Sequence, residues 1–379
     1  MKDIKYIGVD DIDLDLFEGQ YEVPNGVSYN SYILFDEKTA VFDTVDDRKT
    51  DEWLKNLEAA LNGKTPDYLL VSHVEPDHSA SLPAFIKKYP KATIVGNEKT
   101  FLLLKRFYGE IAANKLTVKD GEKLTLGKHE LTFICAPMVH WPEVMVTYDS
   151  FDKVLFSADA FGKFGALSVS EPWIDEARRY YINIVGKYGN PVQGLLKKAA
   201  TLDIKTICPL HGPVLKDNLG YYIDLYDKWS SYKPEESGVL IAYASIYGNT
   251  ANAAKKLAKI LEGRGVKSEV LDLTRCDSAL AVATAFKYDK LVIASVTYDG
   301  GILPCTEAFI NKLKIKNYCN RTVGFMQNGS WAPVAAKIMR ASMENFKNLS
   351  FCETVVTVNS AVDEAAESQI KSLADELTK

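Results

Sequence analysis

Five histidines, His73, His78, His129, His140 and His211, are spread over 379 residues, and four of them stand just past the end of a short apolar run. The densest group is Tyr68-Leu69-Leu70-Val71-Ser72-His73-Val74-Glu75-Pro76-Asp77-His78-Ser79. It reads as a buried strand running to Ser72. The loop after it presents His73, Glu75, Asp77 and His78 within six positions. Pro76 is expected to keep helix out of that loop, and Ser79 or Ser81 to cap the helix that follows. His140 follows a strand ending near Cys135-Ala136-Pro137, Asp159 follows Val154-Leu155-Phe156-Ser157-Ala158, and His211 follows Thr206-Ile207-Cys208-Pro209. Four strand ends thus deliver ligand-type side chains to one rim of a sheet. His129, behind Lys128 in a polar turn, reads as a surface residue.

Seven donors exceed the four that one tetrahedral zinc takes, so the pattern implies two metals. Four imidazoles and three carboxylates without a thiolate form a hard, mixed set that suits iron or manganese, and zinc less exclusively. Charge agrees. Two divalent ions would face Glu75, Asp77 and Asp159, and a bridging hydroxide would leave the core neutral, as a low-dielectric site requires. Two metals ~3.5–4 Å apart can clamp a diatomic ligand or a bridging oxygen.

The clearest break in the chain is Lys233-Pro234-Glu235-Glu236-Ser237-Gly238, between an aromatic, helix-like stretch (Tyr221–Trp229) and the apolar Val239-Leu240-Ile241-Ala242. Proline, glycine and charge at such a junction mark a linker, so domains are expected over 1–233 and 238–379. The first tract clusters its strand candidates, Ser31–Phe35 with Ala40–Asp43, then Glu130–Ile134, Val144–Tyr148 and Val154–Ser157. Helical stretches intervene at Lys49–Leu61, Ala80–Tyr89 and Trp173–Lys187. Mostly antiparallel strands with helices suggest a layered αβ sandwich. The second tract alternates Val239–Ala244, Ser268–Leu273, Leu291–Ser295, Thr322–Met326 and Thr354–Val358 with helical patterns such as Ala251–Leu261 and Pro333–Asn345. That order predicts a five-stranded parallel sheet covered on both faces, with ligands at the carboxyl ends of its strands.

Those ends are informative. The first strand runs into Ser245-Ile246-Tyr247-Gly248-Asn249-Thr250 and a helix, where hydroxyls, a glycine and backbone N–H groups can cradle a phosphate without a basic residue. The lysine-bearing P-loop and GxGxxG are both absent. The third strand runs into Ser295-Val296-Thr297-Tyr298-Asp299-Gly300-Gly301, the fourth into Asn328-Gly329-Ser330-Trp331. Each supplies polar backbone and an aromatic ring, as loops clasping an isoalloxazine do.

His73-x-Glu75-x-Asp77-His78 resembles the HxHxDH signature of the metallo-β-lactamase superfamily, with Glu75 at the second histidine position. Followed in order by His140, Asp159 and His211, it is similar to the flavodiiron proteins (A-type flavoproteins). Val27-Ser28-Tyr29-Asn30-Ser31-Tyr32, His140-Trp141-Pro142 and Ser157-Ala158-Asp159-Ala160-Phe161-Gly162 also match that family. The second tract resembles flavodoxin, with S-x-Y-G-N-T in place of the commonest T-x-T-G-x-T. The resemblance covers nearly the whole chain and implies the minimal two-domain class. That class is α/β: a metallo-β-lactamase-like αββα sandwich, then a flavodoxin-like, five-stranded, doubly wound sheet.

The resemblance implies two irons and FMN. His73, Glu75 and His140 would bind one iron, Asp77, His78 and His211 the other, with Asp159 bridging; in some relatives the residue matching His78 is swung off the metal. It implies a reductase of O2, NO or both, built as a head-to-tail homodimer or dimer of dimers. Of Trp173, Tyr180 and Tyr181, Tyr181 is the first candidate to reach the diatomic pocket and donate a hydrogen bond.

The six cysteines form no CxxC pair, so neither a disulfide framework nor a fused four-thiolate iron site is expected. Electrons must then come from outside, from rubredoxin or a reduced deazaflavin coenzyme in some relatives. No apolar run approaches the ~20 residues that span a bilayer, and MKDIKYIGVDDIDLDLF has no apolar h-region. A cytoplasmic protein without a membrane partner is expected. A net charge of −5 makes nucleic acid a poor partner. Two rival readings remain: a dizinc hydrolase of the lactamase superfamily, which Glu75 opposes, and a non-catalytic flavodoxin-type electron carrier or gas sensor.

Overall fold

The computed structural model describes residues 2–379. Its contacts separate two units, one of the residues up to Tyr181 with Tyr188–Asp227, the other of Ile182–Lys187 with Lys228–Lys379.

In the first unit, strands Ile4–Tyr6, Tyr32–Leu34, Ala40–Phe42, Tyr68–Leu70, Thr93–Gly96 and Asn114–Thr117 form one sheet in that order. Lys123–Thr125, Glu130–Cys135, Met145–Asp149, Val154–Phe156 and Thr206–Cys208 form another. Alternate residues explain how the sheets meet. Tyr32, Leu34, Phe42, Leu70 and Val95 of the first share a core with Leu131, Phe133, Met145, Phe156 and Cys208 of the second. The Phe42 and Phe156 rings stack with centroids 3.7 Å apart. Burying each such side chain contributes about 1.5–3 kcal/mol. The intervening Ile33, Val41, Leu69 and Ile94 point to the other face and are buried too, which a sheet covered on both sides requires. Helix Thr50–Leu61 buries Trp53, Leu57 and Leu61, an i, i+4, i+8 stripe, and ends on Asn62 in the left-handed region.

The second sheet is mostly antiparallel, as expected. The first is mixed: from Ala40–Phe42 to Asn114–Thr117 every neighbour is parallel, because helices rather than tight turns join those strands. Pro76 does not exclude helix either. It opens the helical turn Pro76–Ser79 at the first position, where its missing N–H costs nothing. The next helix begins only at Leu82, and neither serine caps it: Ser79 donates to the Val74 carbonyl, and Ser81 pairs with the Thr50 hydroxyl. The helix expected over Trp173–Lys187 ends at Tyr180, continuing as a π-turn (Tyr181–Val185) and a 3-10 turn (Gly186–Tyr188).

The second unit is a parallel sheet in the order Ser268–Asp272, Glu236–Ala244, Tyr288–Tyr298, Arg321–Asn328, Leu349–Val358. Short strand Gly301–Ile302 folds back antiparallel on Tyr288–Tyr298. Strand order reverses between Glu236–Ala244 and Tyr288–Tyr298, the place where doubly wound sheets open a ligand crevice. One face packs Ala253, Leu257 and Leu261 of helix Asn249–Gly263 with Ile370, Leu373 and Leu377 of helix Glu364–Thr378. Among the described residues no helix is long and apolar enough to cross a membrane.

Candidate metal centre

His73 to His78 follow strand Tyr68–Leu70, His140 follows Glu130–Cys135, Asp159 follows Val154–Phe156, and His211 follows Thr206–Cys208. The seven predicted donors therefore come from both sheets of the first unit, and the structure brings all of them together. They sort into two groups, His73, Glu75, His140 and Asp159, and Asp77, His78 and His211, each with ligand atoms within 4.8 Å of one another. Glu75 Oε2 lies 3.1 Å from Nε2 of both His73 and His140. His78 Nε2 is 3.2 Å from Asp77 Oδ2 and from Asp159 Oδ1. Asp159 reaches both groups, its Oδ2 standing 3.4 Å from Nε2 of His73 and of His140.

Buried partners aim the imidazoles. His211 Nδ1 sits 2.7 Å from the Ser28 carbonyl, which can only accept, so the proton is on Nδ1 and the Nε2 lone pair faces the centre. His73 Nδ1 meets Glu143 Oε1 at 2.7 Å, and the Val74 N–H donates to the same oxygen. Asn30 Nδ2 donates to the carbonyls of Pro209 and Gly212, and Gly212 N–H to Ser28 Oγ, which fixes the turn carrying His211. The Ser28–Tyr32 stretch thus acts as a brace for a ligand loop. Asp43 does the same for Ser72, accepting its N–H at 2.7 Å.

Donor atoms this close repel one another unless a cation sits among them. Both carboxylate oxygens of Asp77 and of Asp159, and His140 Nε2, are buried without a hydrogen bond. An unsatisfied buried polar group costs about 1–3 kcal/mol, more when charged. His78 and His211 turn their Nε2 atoms on each other at 3.1 Å. Protonation reports the same crowding. Burial pushes the Asp77 carboxyl up to about 7 against the pull of His78. Burial also disfavours charge on His140, yet the Asp159 and Glu75 carboxylates facing its Nε2 outweigh it and raise the imidazole to about 9. Burial opposes ionisation of Asp159, but His73 and His140 hold it well below the usual carboxylate range. Metals replace these shared protons, and the donor set fits two cations.

Of the two tyrosines named from the sequence one faces the ligands, and other neighbours carried no signal in the sequence. Tyr180, not Tyr181, turns toward the ligands: its ring lies 5.4 Å from that of His211, whereas Tyr181 packs edge-on against Tyr226. Phe17 stands edge-on to His211 at 5.5 Å. A surface cavity of about 210 Å³ is lined by Leu16, Phe17, Tyr29, Glu75 and Asp77 among others, so two of the seven donors border it. His129 is a correction: it is fully buried, because Asp149 and Asp3 reach it from distant parts of the chain.

In the second unit a cleft of about 510 Å³ opens at the three predicted strand ends. Ser245, Ile246, Tyr247, Asn249, Thr250, Thr297, Tyr298, Asp299, Gly300, Asn328, Gly329, Ser330 and Trp331 line it, joined by Val296, Ala332 and Ser360. Gly248, Ser295 and Gly301 do not. Gly248 forms the turn with φ +87°, Ser295 is buried beneath the cleft, and Gly301 lies in the short return strand. No side chain caps helix Asn249–Gly263, so its first N–H groups are free for an anion. Tyr247 and Trp331 are each 92% exposed, two large rings left to water at the cleft mouth. Free N–H groups at one end and aromatic surface at the other fit a flavin phosphate.

A family model described as an ODP family β-lactamase matches residues 27–212, and a flavodoxin domain model matches 240–358. The nitric oxide reductase of Moorella thermoacetica is 30% identical, over 91% of this chain and 88% of that protein. This chain belongs to the flavodiiron protein family. Among solved structures, the flavodiiron relatives include rubredoxin oxygen:oxidoreductase from Desulfovibrio gigas, with a TM-score of 0.92 at 26% identity over 100% of this chain and 96% of that one. The flavodiiron protein from Giardia intestinalis superposes with a TM-score of 0.88 at 27% identity, covering 100% and 95%.

Proposed function

We propose that this flavodiiron protein reduces O2, NO or both at a diiron centre in residues 1–233, with FMN held in residues 238–379. The observation that carries this reading is the division of seven buried donors into two groups linked by Asp159. The relatives' names, nitric oxide reductase and rubredoxin oxygen:oxidoreductase, support the two substrates. His73, Glu75 and His140 would hold one iron, Asp77, His78 and His211 the other, and the Ser245–Thr250, Thr297–Gly300 and Asn328–Trp331 loops the flavin. When bound, two ferrous ions supply one electron each and reduced FMN two more, which matches four for O2 → 2 H2O and two for 2 NO → N2O + H2O.

The chain's own residues define the rest. Leu16, Phe17 and Tyr29 give the cavity beside Glu75 and Asp77 an apolar wall on one side that suits an uncharged diatomic. Burial holds the Tyr180 phenol well above its ordinary pKa, and its ring packs 5.4 Å from that of His211. Glu143 and Ser28 fix the imidazole tautomers. Glu75 between two imidazoles favours iron over the zinc set of a hydrolase.

An external donor of the rubredoxin class, or a reduced deazaflavin coenzyme, would supply electrons. Because iron and flavin residues lie on different units, we take a head-to-tail homodimer or dimer of dimers as the working assembly. Six free thiols are in keeping with a reducing cytoplasm. The test is anaerobic gas-electrode measurement of O2 and NO consumption with chemically reduced rubredoxin, on iron-assayed protein. Asp159→Ala and His140→Ala should abolish turnover and keep FMN. A variant stripped of iron that still turned over at full rate would defeat the proposal.

A further inference from the structure

One buried histidine serves neither cofactor. His129 stands just before strand Glu130–Cys135, Asp149 ends Met145–Asp149, and Asp152 lies in the turn before Val154–Phe156. In this sheet Leu131 pairs with Asp149 and Asp149 with Val154, while Cys135 pairs with Met145. His140 and Asp159 leave from the Cys135 and Phe156 ends. His129 and Asp152 therefore occupy the opposite rim, roughly 15–20 Å along the strands at ~3.3 Å per residue.

This rim carries a built arrangement. His129 is fully buried, and its Nδ1 lies 2.9 Å from Oδ2 of the equally buried Asp149. That carboxylate accepts the Nδ1 proton and leaves a lone pair on Nε2. Nε2 makes no hydrogen bond, and neither does the buried Oδ2 of Asp152. Asp3 Oδ2 is 3.6 Å from Nε2. That is too long for a hydrogen bond. It is close to the separation of about 3.4 Å expected for two ligands with bonds of about 2.0–2.2 Å at a tetrahedral ion. Ligand atoms of Asp3, His129 and Asp152 all lie within 4.8 Å of one another. Lys128 Nζ pairs with Asp3 at 2.7 Å, but its side chain is 45% exposed and free to turn to solvent.

We propose that His129 Nε2, Asp3 and Asp152 form a third cation site, for one divalent ion of zinc's class with water completing its shell. Asp149 is a positioning residue in a carboxylate–histidine–metal relay. The divalent ion balances the charges of Asp3 and Asp152, the two carboxylates that would bind it. The ion would staple strand Ile4–Tyr6, through Asp3, to the Met145–Phe156 hairpin, and so act on stability rather than on gas reduction.

The experiment uses iron- and FMN-loaded protein, equilibrated with micromolar zinc, desalted and assayed for every metal. The expected result is about one zinc per chain with iron and FMN unchanged and a raised Tm. Asp152→Asn and His129→Gln should hold no zinc yet keep iron and flavin, and Asp149→Asn should bind zinc about 10–100-fold more weakly. Should His129→Gln fail to fold, the partly exposed Asp152→Asn decides alone. Wild-type protein that retains no zinc, zinc uptake matched by iron loss, or wild-type zinc retention in Asp152→Asn would each overturn the assignment.

Discussion

Glu143 offers a sharp test of how the metal centre is organised, because it touches no predicted iron ligand except through the back of His73. Its Oε1 takes the His73 Nδ1 proton at 2.7 Å and the Val74 N–H at 2.9 Å, in full burial. Burial opposes its charge, but the His73 hydrogen bond holds its carboxyl below the usual range, so both bonds have an ionised acceptor. Glu143→Gln keeps an oxygen for both donors and removes the charge. Charged hydrogen bonds contribute about 1.5–3 kcal/mol and neutral ones about 0.5–1.5. The loss at the His73 bond, the one that bears on the ligand, is therefore about 1–1.5 kcal/mol, or roughly tenfold in affinity for the ion at His73, Glu75 and His140. Glu143→Ala leaves two buried donors without an acceptor, at about 1–3 kcal/mol each, and should weaken that ion about 100-fold or more. Anaerobic competition with a graded series of ferrous chelators measures the affinities, with FMN content as the control. Iron released from Glu143→Gln at the wild-type chelator strength would refute the reasoning, as would FMN lost in step with iron.

Three more outcomes are expected. Trp331→Ala should weaken FMN about 2–12-fold, from an aromatic contact of about 0.5–1.5 kcal/mol, with iron content unchanged; a fluorescence-quench titration reads it. Arg321 is buried and donates to the carbonyls of Tyr288, Tyr232, Cys319 and Phe286, so Arg321→Met should cost the flavodoxin-like unit about 2 kcal/mol or more in urea unfolding followed by flavin release. An unchanged midpoint would contradict that. Burial pushes the Cys208 thiol up to about 12, so its reactive thiolate is scarce at pH 8 and grows about tenfold per pH unit. Iodoacetamide followed by mass mapping should leave Cys208 unmodified in native protein, and labelling ahead of unfolding would contradict its burial.

The seven donors were legible because each follows a strand, and a strand end is readable from an apolar run that stops. The loops that line the cleft of the second unit were legible for the same reason. What escaped were partners fixed only when distant segments close together. Glu143 and the Ser28 carbonyl carry no local signal of the histidine they hold. His129 looked exposed because its chain neighbours are polar, whereas Asp3 and Asp149, far off in sequence, bury it. Tyr180 and Tyr181 differ by about 100° around a helix, so register alone decides which one faces His211. Pro76 misled because its rule concerns helix interiors, and here it opens a turn. The parallel half of the first sheet depends on helical crossovers, including helix Glu98–Tyr108, for which no pattern was read.

His78 and His211, whose Nε2 atoms nearly touch, are 133 positions apart in sequence. Asp159 already lies with His73, Glu75 and His140 well before His211 is reached. During synthesis one half of the centre can therefore close while the other still waits for its last imidazole inside the ribosome. The direction of synthesis therefore completes one donor group before the other.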